Sequence, residues 1–173
     1  MQTILVAVDG SGHADKAVEI GADLAMRHEA KLIIVHVVQP GALDEEAKRL
    51  ASAEHLTSDQ AAAESGLRAV PSWIREAMTA SEHTAEDSRI AHRIGAMVLE
   101  RAEAVARRAG CGDVEVVETV GAPVDNIVSE AERRNADCVV VGSRGLGGLS
   151  EVLLGSVSHG LAQRLACICV MVK

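Results

Sequence analysis

Aromatic residues are nearly missing from this chain: its 173 residues include one Trp, no Tyr and no Phe. Proteins that hold single-stranded nucleic acid stack its bases on aromatic platforms, and this sequence has none to offer. A ring-bearing ligand would have to be held by aliphatic walls and backbone groups. Positive charge is also in deficit. Seventeen Lys and Arg face 25 Asp and Glu, a formal charge of −8, and the cations do not cluster, so neither nucleic acid nor an anionic lipid surface is an expected partner. No apolar run approaches the roughly 18 residues of a membrane span. The opening MQTILVAVDG has no basic region ahead of its apolar stretch, as a secretion signal would. The expected location is the cytoplasm.

The four cysteines, Cys111, Cys138, Cys167 and Cys169, form no CxxC pair. In such a chain they are expected to be reduced and to behave as small hydrophobes. Cys167 and Cys169 would share one face of a strand, but two sulfurs do not make a zinc site.

What the sequence does have is the makeup of a globular domain. Hydrophobic residues are 48% and charged residues 24% of the chain, and a chain of this length corresponds to one domain at roughly 100–200 residues each. Residues 1–173 are therefore read as a single domain carrying an insertion. Gln2–Val8 is a compact aliphatic run closed by the turn Asp9-Gly10-Ser11-Gly12. His13–His28 has helical spacing, with Ala17, Ile20, Gly21 and Leu24 expected on the inner stripe. Lys31–Val38 is a second continuous apolar strand, and strand, helix, strand is the signature of a parallel sheet.

The alternation then pauses. Residues 41–83 are rich in Ala, Glu and Ser, and helices are expected near 43–64 and 72–79, separated by Pro71-Ser72. Thr84-x-x-Asp87 opens a longer helix to about residue 109, with Ile90, Ile94, Met97, Val98 and Val105 inward. Strands at Val114–Val120, Asp137–Gly142 and Ile168–Val172 alternate with helices at Pro123–Arg134 and Ser156–Leu165. The expected fold is α/β: a Rossmann-like, doubly wound, five-stranded parallel sheet with helices on both faces. The helical insertion of 41–83 follows the second strand, beside the ligand end.

In open parallel sheets ligands bind beyond the carboxyl ends of the strands, where the winding reverses. The fourth strand runs there into Gly142-Ser143-Arg144-Gly145-Leu146-Gly147-Gly148, and Gly155-Ser156-Val157-Ser158 then opens a helix. Glycines let backbone N–H groups approach an anion, Ser156 and Ser158 add hydroxyls, and the helix end favours negative charge. Arg144 is the one Lys or Arg between residues 135 and 163. Together these residues read as a phosphate cradle. Neither GxxxxGK[ST] nor GxGxxG is present; the latter fails at Ser150.

The spacing Gly142-x2-Gly145-x9-Gly155-Ser156, joined to a strand-terminal Asp9, resembles the signature of the ATP-binding branch of the universal stress protein family. The segments ILVAVDGS, IVHV, LLGSVS and CVMVK are similar to that family's equivalents. The likeness covers residues 1–40 and about 84–173. It implies that Asp9, with the backbone of Ala7 and Val8, contacts adenine or ribose, and that Val37 offers main-chain hydrogen bonds to the adenine edge. Val141, Gly142, Arg144 and Gly145 would line ribose and phosphates from one side, and Gly155, Ser156, Val157 and Ser158 from the other. ATP is the implied ligand, with Mg²⁺ carried on the phosphates because the surrounding charge is negative. The resemblance also implies a homodimer through Ile168–Val172, although Cys169 stands where the family usually has Pro.

The leading expectation is a nucleotide-binding regulator of stress response that acts through conformation or assembly. The alternatives are a slow ATP hydrolase and a dimeric adapter without nucleotide. Only Asp9 and His159 stand near the loop as candidate bases, neither well placed by sequence. A phosphorelay receiver would want a carboxylate ending the third strand, where Gly121 stands, and a flavodoxin-like carrier would want aromatics. His36 reads as a satisfied core histidine, Trp73 as a packing anchor, and His83 to His92 as lacking a third metal ligand. Gly142→Val and Gly155→Val are both expected to spare the fold and block ATP.

Overall fold

The protein is described as a computed structural model over residues 1–39, 84–145 and 154–173, with the side chains of 84–90 left aside. Five strands form one all-parallel sheet: β1 (Thr3–Val8), β2 (Lys31–Val38), β3 (Val114–Val120), β4 (Cys138–Gly142) and β5 (Ile168–Val172). Between them run α1 (Gly12–His28), α2 (Thr84–Arg108), α3 (Pro123–Arg133) and α4 (Ser156–Arg164). The expected insertion of 41–83, its helices near 43–64 and 72–79, Trp73 and His83 lie outside the described residues, as does 146–153 of the glycine-rich loop. Among the described residues, no helix is long and apolar enough to cross a membrane.

The strand order is β3-β2-β1-β4-β5. The chain builds outward from β1 through β2 to β3, then crosses back to add β4 on the other side of β1 and finally β5. This reversal makes the sheet doubly wound, and it leaves a crevice at the carboxyl ends of β1 and β4. Register is fixed by pairs such as Val8↔His36, Ala7↔Val141 and Val37↔Thr119.

The inner strands carry unbroken apolar runs because both of their faces are covered. Ile4, Val6, Leu32, Ile34, Cys138 and Val140 point into the layer under α1 and α2. Leu5, Ala7, Ile33, Val35, Val139 and Val141 point into the layer under α3 and α4, where Ile127 and Leu161 complete the core. The edge strand β3 alternates instead, with Val116 and Val120 exposed. The opposite edge, β5, exposes Ile168.

The inner stripe of α1 differs from the expected one. Ala14, Ala17, Val18, Gly21, Ala22 and Ala25 are buried, while Ile20 faces solvent. The cause is close approach to the sheet: a Cβ on Gly21 would run into Cγ2 of Val6. Small side chains seat the helix, and the bulkier Ile20 is left outside. On α2, Ile94, Val98, Leu99, Ala102 and Ala106 are buried. Of the expected face, Ile94 and Val98 are buried, Met97 and Val105 are half-buried, and the side chain of Ile90 lies outside the described residues.

All four cysteines are free thiols, with Cys111 and Cys138 buried and Cys167 and Cys169 half-buried. Burial pushes the Cys138 thiol up to about 11 and raises the other three. These thiols stay protonated at neutral pH and have little nucleophilic character.

Candidate functional site

Asp9 sits one residue beyond β1, and the turn that follows is braced from inside. Its Oδ1 accepts the Ser11 N–H at 3.0 Å, while Gly10 adopts φ +86°, a conformation that glycine tolerates. Ser11 is buried and caps α1, its Oγ accepting the Ala14 N–H at 3.2 Å. The start of α1 is therefore fixed at the crevice mouth.

Gly142 ends β4 against that same turn. A Cβ here would lie 2.9 Å from Cβ of His13 and 3.0 Å from the His13 carbonyl carbon. The absent side chain thus lets α1 approach β4. Gly145 folds back across the crevice, where an added Cβ would collide with Oδ2 of Asp9. Asp9 and Gly145, 136 positions apart by subtraction of their numbers, meet face to face.

The second wall is the N-terminus of α4. Gly155 is its N-cap and has no side chain to bond the first-turn N–H groups, which a helix leaves without internal partners. Two hydrogen bonds tie this end to the end of β4, and a third ties that end to β5. The Gly155 N–H donates to the Ser143 carbonyl at 2.7 Å, the Ser143 N–H donates to the Val172 carbonyl at 2.7 Å, and the Ser158 hydroxyl donates to the Gly142 carbonyl at 2.8 Å. Ser158 is buried and its hydroxyl hydrogen is committed to this link, whereas Ser156 is exposed at the helix mouth. Unlike Gly142, Gly155 has room: the nearest heavy atoms to an added Cβ are 3.5 Å away.

Ala7, Val8 and Val141 are buried, Ala7 and Val141 toward the α3/α4 layer and Val8 toward the α1/α2 layer; Val37, one strand away, Arg144 and Val157 are half-buried. His36 lies on the opposite sheet face from Val37. Its Nδ1 is 2.9 Å from the Val8 carbonyl, which can only accept, so Nδ1 carries the hydrogen. His36 is thus satisfied, as expected. Further out, His92 Nδ1 meets Glu118 Oε1 at 2.5 Å, and among the described residues no cluster of His, Cys, Asp and Glu could hold a metal. His159 is exposed, with Nε2 3.1 Å from Nε2 of Gln163 along its own helix.

The sequence reading did not single out His13 or Ser143. His13 matters through its backbone and Cβ, which no residue-type pattern reports. Ser143 matters through its main chain, which bridges β5 and the α4 cap.

The whole chain, residues 1–173, matches the universal stress protein family, and the protein belongs to that family. It is 30% identical to a universal stress protein of Bacillus subtilis over 171 residues, covering 98% of this chain and 97% of the relative. Among solved structures, it resembles a universal stress protein in complex with cAMP at 28% identity and TM-score 0.63, covering 99% of this chain and 97% of that one. The fold is also shared with the Archaeoglobus fulgidus universal stress protein in complex with dAMP, at 18% identity and TM-score 0.58, covering 100% and 98% of the two chains.

Proposed function

We propose that this protein binds an adenine nucleotide, ATP in the first instance, in the crevice between β1 and β4, and that binding sets its conformation or assembly as a regulator in the cytoplasm. The observation that carries the reading is the placing of Gly145 against Asp9, beside Gly142 at the end of β4 and Gly155 at an α4 N-terminus with no side-chain cap. A helix end of this kind favours an anion, and small residues around it let backbone N–H groups reach phosphate oxygens. The relative crystallised with cAMP, 28% identical, supports an adenine ligand.

In this reading Gly155, Ser156 and Val157 hold the phosphates from one side, and Val141, Gly142, Arg144 and Gly145 from the other. Ser158 holds the cradle in place through Gly142. Asp9 takes the ribose, with Ala7 and Val8 beneath it, and the main chain of Val37 takes the base. Mg²⁺ fits the crevice as a partner of the phosphates, because the formal charge of −8 offers little counter-charge for a triphosphate. Hydrolysis is not part of the proposal, since Asp9 Oδ1 is engaged by Ser11 and His159 lies against Gln163. Releasing the ligand of freshly purified protein with acid and separating it by anion exchange tests the reading. An adenine nucleotide is the expected product; a ligand of another chemistry would overturn it.

Assembly through β5 belongs to the same proposal. β5 ends the sheet order, its outer backbone groups face away from β4, and Ile168 is 52% exposed. Such an edge is a template for a second copy of itself. Cys169, half-buried as the second residue of the strand, restores an N–H donor that a proline would lack. Sedimentation equilibrium of the whole chain should return a dimer, and a monomer across the full concentration range would contradict it.

A further inference from the structure

One buried side-chain oxygen among the described residues has no hydrogen-bond partner, and it belongs to Thr119. Buried hydroxyls are nearly always paired, so an orphan invites a partner from outside the chain. Its position in the sheet says where that partner would be. Thr119 is in register with Val37, so the two side chains share one sheet face. Continuing the pairing of Val8 with His36 by one residue brings Asp9 level with Val37. Asp9, Val37 and Thr119 thus make a row across the carboxyl end of the sheet. Thr119 is half-buried as a residue while its oxygen is buried, so a ligand reaches that oxygen only with a small movement of what covers it.

The sheet order gives this row a direction. From β4 through β1 and β2 to β3 there are three strand spacings, about 14 Å in all. A nucleotide with its phosphates at Gly142 and Gly155 and its ribose at Asp9 extends along that line. Its base then meets Val37, and the edge of the base farthest from the sugar reaches toward β3. In adenine that far edge carries the exocyclic amino group, an N–H donor.

We infer that Thr119 is a base-reading residue whose Oγ1 accepts a hydrogen bond from the adenine amino group. The inference rests on the nucleotide reading of the crevice and extends it to an edge strand outside the glycine motif. Its test is calorimetric titration of the full chain with Mg-ATP and with Mg-purine riboside triphosphate, which lacks the amino group. Wild type should bind ATP about tenfold more tightly than the amino-less analogue, the value of one hydrogen bond. Thr119→Val should bind ATP about tenfold more weakly than wild type and should lose most of the preference over the analogue, while Thr119→Ser should keep both. The melting temperature of unliganded Thr119→Val should not fall, because the hydroxyl it removes has no partner.

Equal affinity of wild type for the two nucleotides, or undiminished ATP affinity in Thr119→Val, would overturn the role of Thr119 and leave the crevice reading intact. Failure of wild type to bind either nucleotide would overturn the crevice reading itself. The comparison of ligands on wild type can overturn the inference without any variant. Because the Val37 main chain also meets the base, support for it requires loss of the preference in Thr119→Val, or in Thr119→Ala should that variant not fold.

Discussion

Two glycines of the same motif do different work, and substitution separates them. Gly142 is pressed against the His13 backbone, at 3.0 Å from an added Cβ to the carbonyl carbon, and that backbone cannot rotate away. Gly142→Val should therefore destabilise the unliganded fold by about 1–3 kcal/mol, as overpacking does, read from the midpoint of denaturant unfolding. This differs from the sequence expectation that the fold would be spared. Gly155 has φ −67° and an added Cβ would make only ordinary contacts from 3.5 Å, so Gly155→Ala should cost no more than about 1 kcal/mol, the difference between the two residues at an N-cap. Its effect should fall on nucleotide affinity, measured by titration. Equal stability losses in both variants would contradict this division. The motif spacing marks both residues as special, but only the third dimension shows that one serves packing and the other leaves a mouth open.

At the scale of elements, the amino ends of the strands are held by charge. Glu115 of β3 accepts from Lys31 of β2 at 2.5 Å and from Arg134 after α3 at 2.6 Å, and Arg134 also reaches Glu130 at 2.9 Å. Hydrogen bonds from Lys31 and then Arg134 hold the Glu115 carboxyl below its ordinary 4.5. Arg133 and then Arg134 do the same for Glu130. A depressed folded value means that the stabilisation is complete above the ordinary carboxylate value and is lost as pH falls through the folded one. Glu115→Gln should cost about 0.5–1 kcal/mol at neutral pH, a modest figure because the pair is partly exposed and screened. The gap from wild type should close on acidification, as followed by urea unfolding across the acid range. A gap that persists at low pH would show that Glu115 acts through packing instead.

The elements themselves were legible in the sequence. All five strands lie where the sequence placed them, the inner ones because strands buried on both faces leave a continuous aliphatic signature. The inner stripe of α1 was not, since hydrophobicity favours Ile20 whereas close approach favours Gly21 and its alanine neighbours. Register is equally invisible along one dimension. Nothing in the residues around Thr119 says that it stands beside Val37, 82 positions earlier by subtraction of their numbers. The glycine loop was legible as a motif, while the contact of Gly145 with Asp9 and the link from Ser158 to Gly142 needed the fold.

Over the whole molecule, one switch in winding direction organises the account. It brings the ends of β1 and β4 together, sets the N-terminus of α4 over them, and leaves β5 as an open edge tied to the same cradle through the Val172 carbonyl. On the proposed reading, a ligand at the cradle and a second copy at β5 would act on neighbouring parts of one hydrogen-bonded unit, so that nucleotide biases assembly. All of this depends on the crevice accepting an adenine nucleotide. The most direct measurement is a calorimetric titration of the nucleotide-free, full-length chain with Mg-ATP. The account predicts a single saturable site that is weakened in Gly155→Ala; absence of binding up to millimolar nucleotide would contradict it.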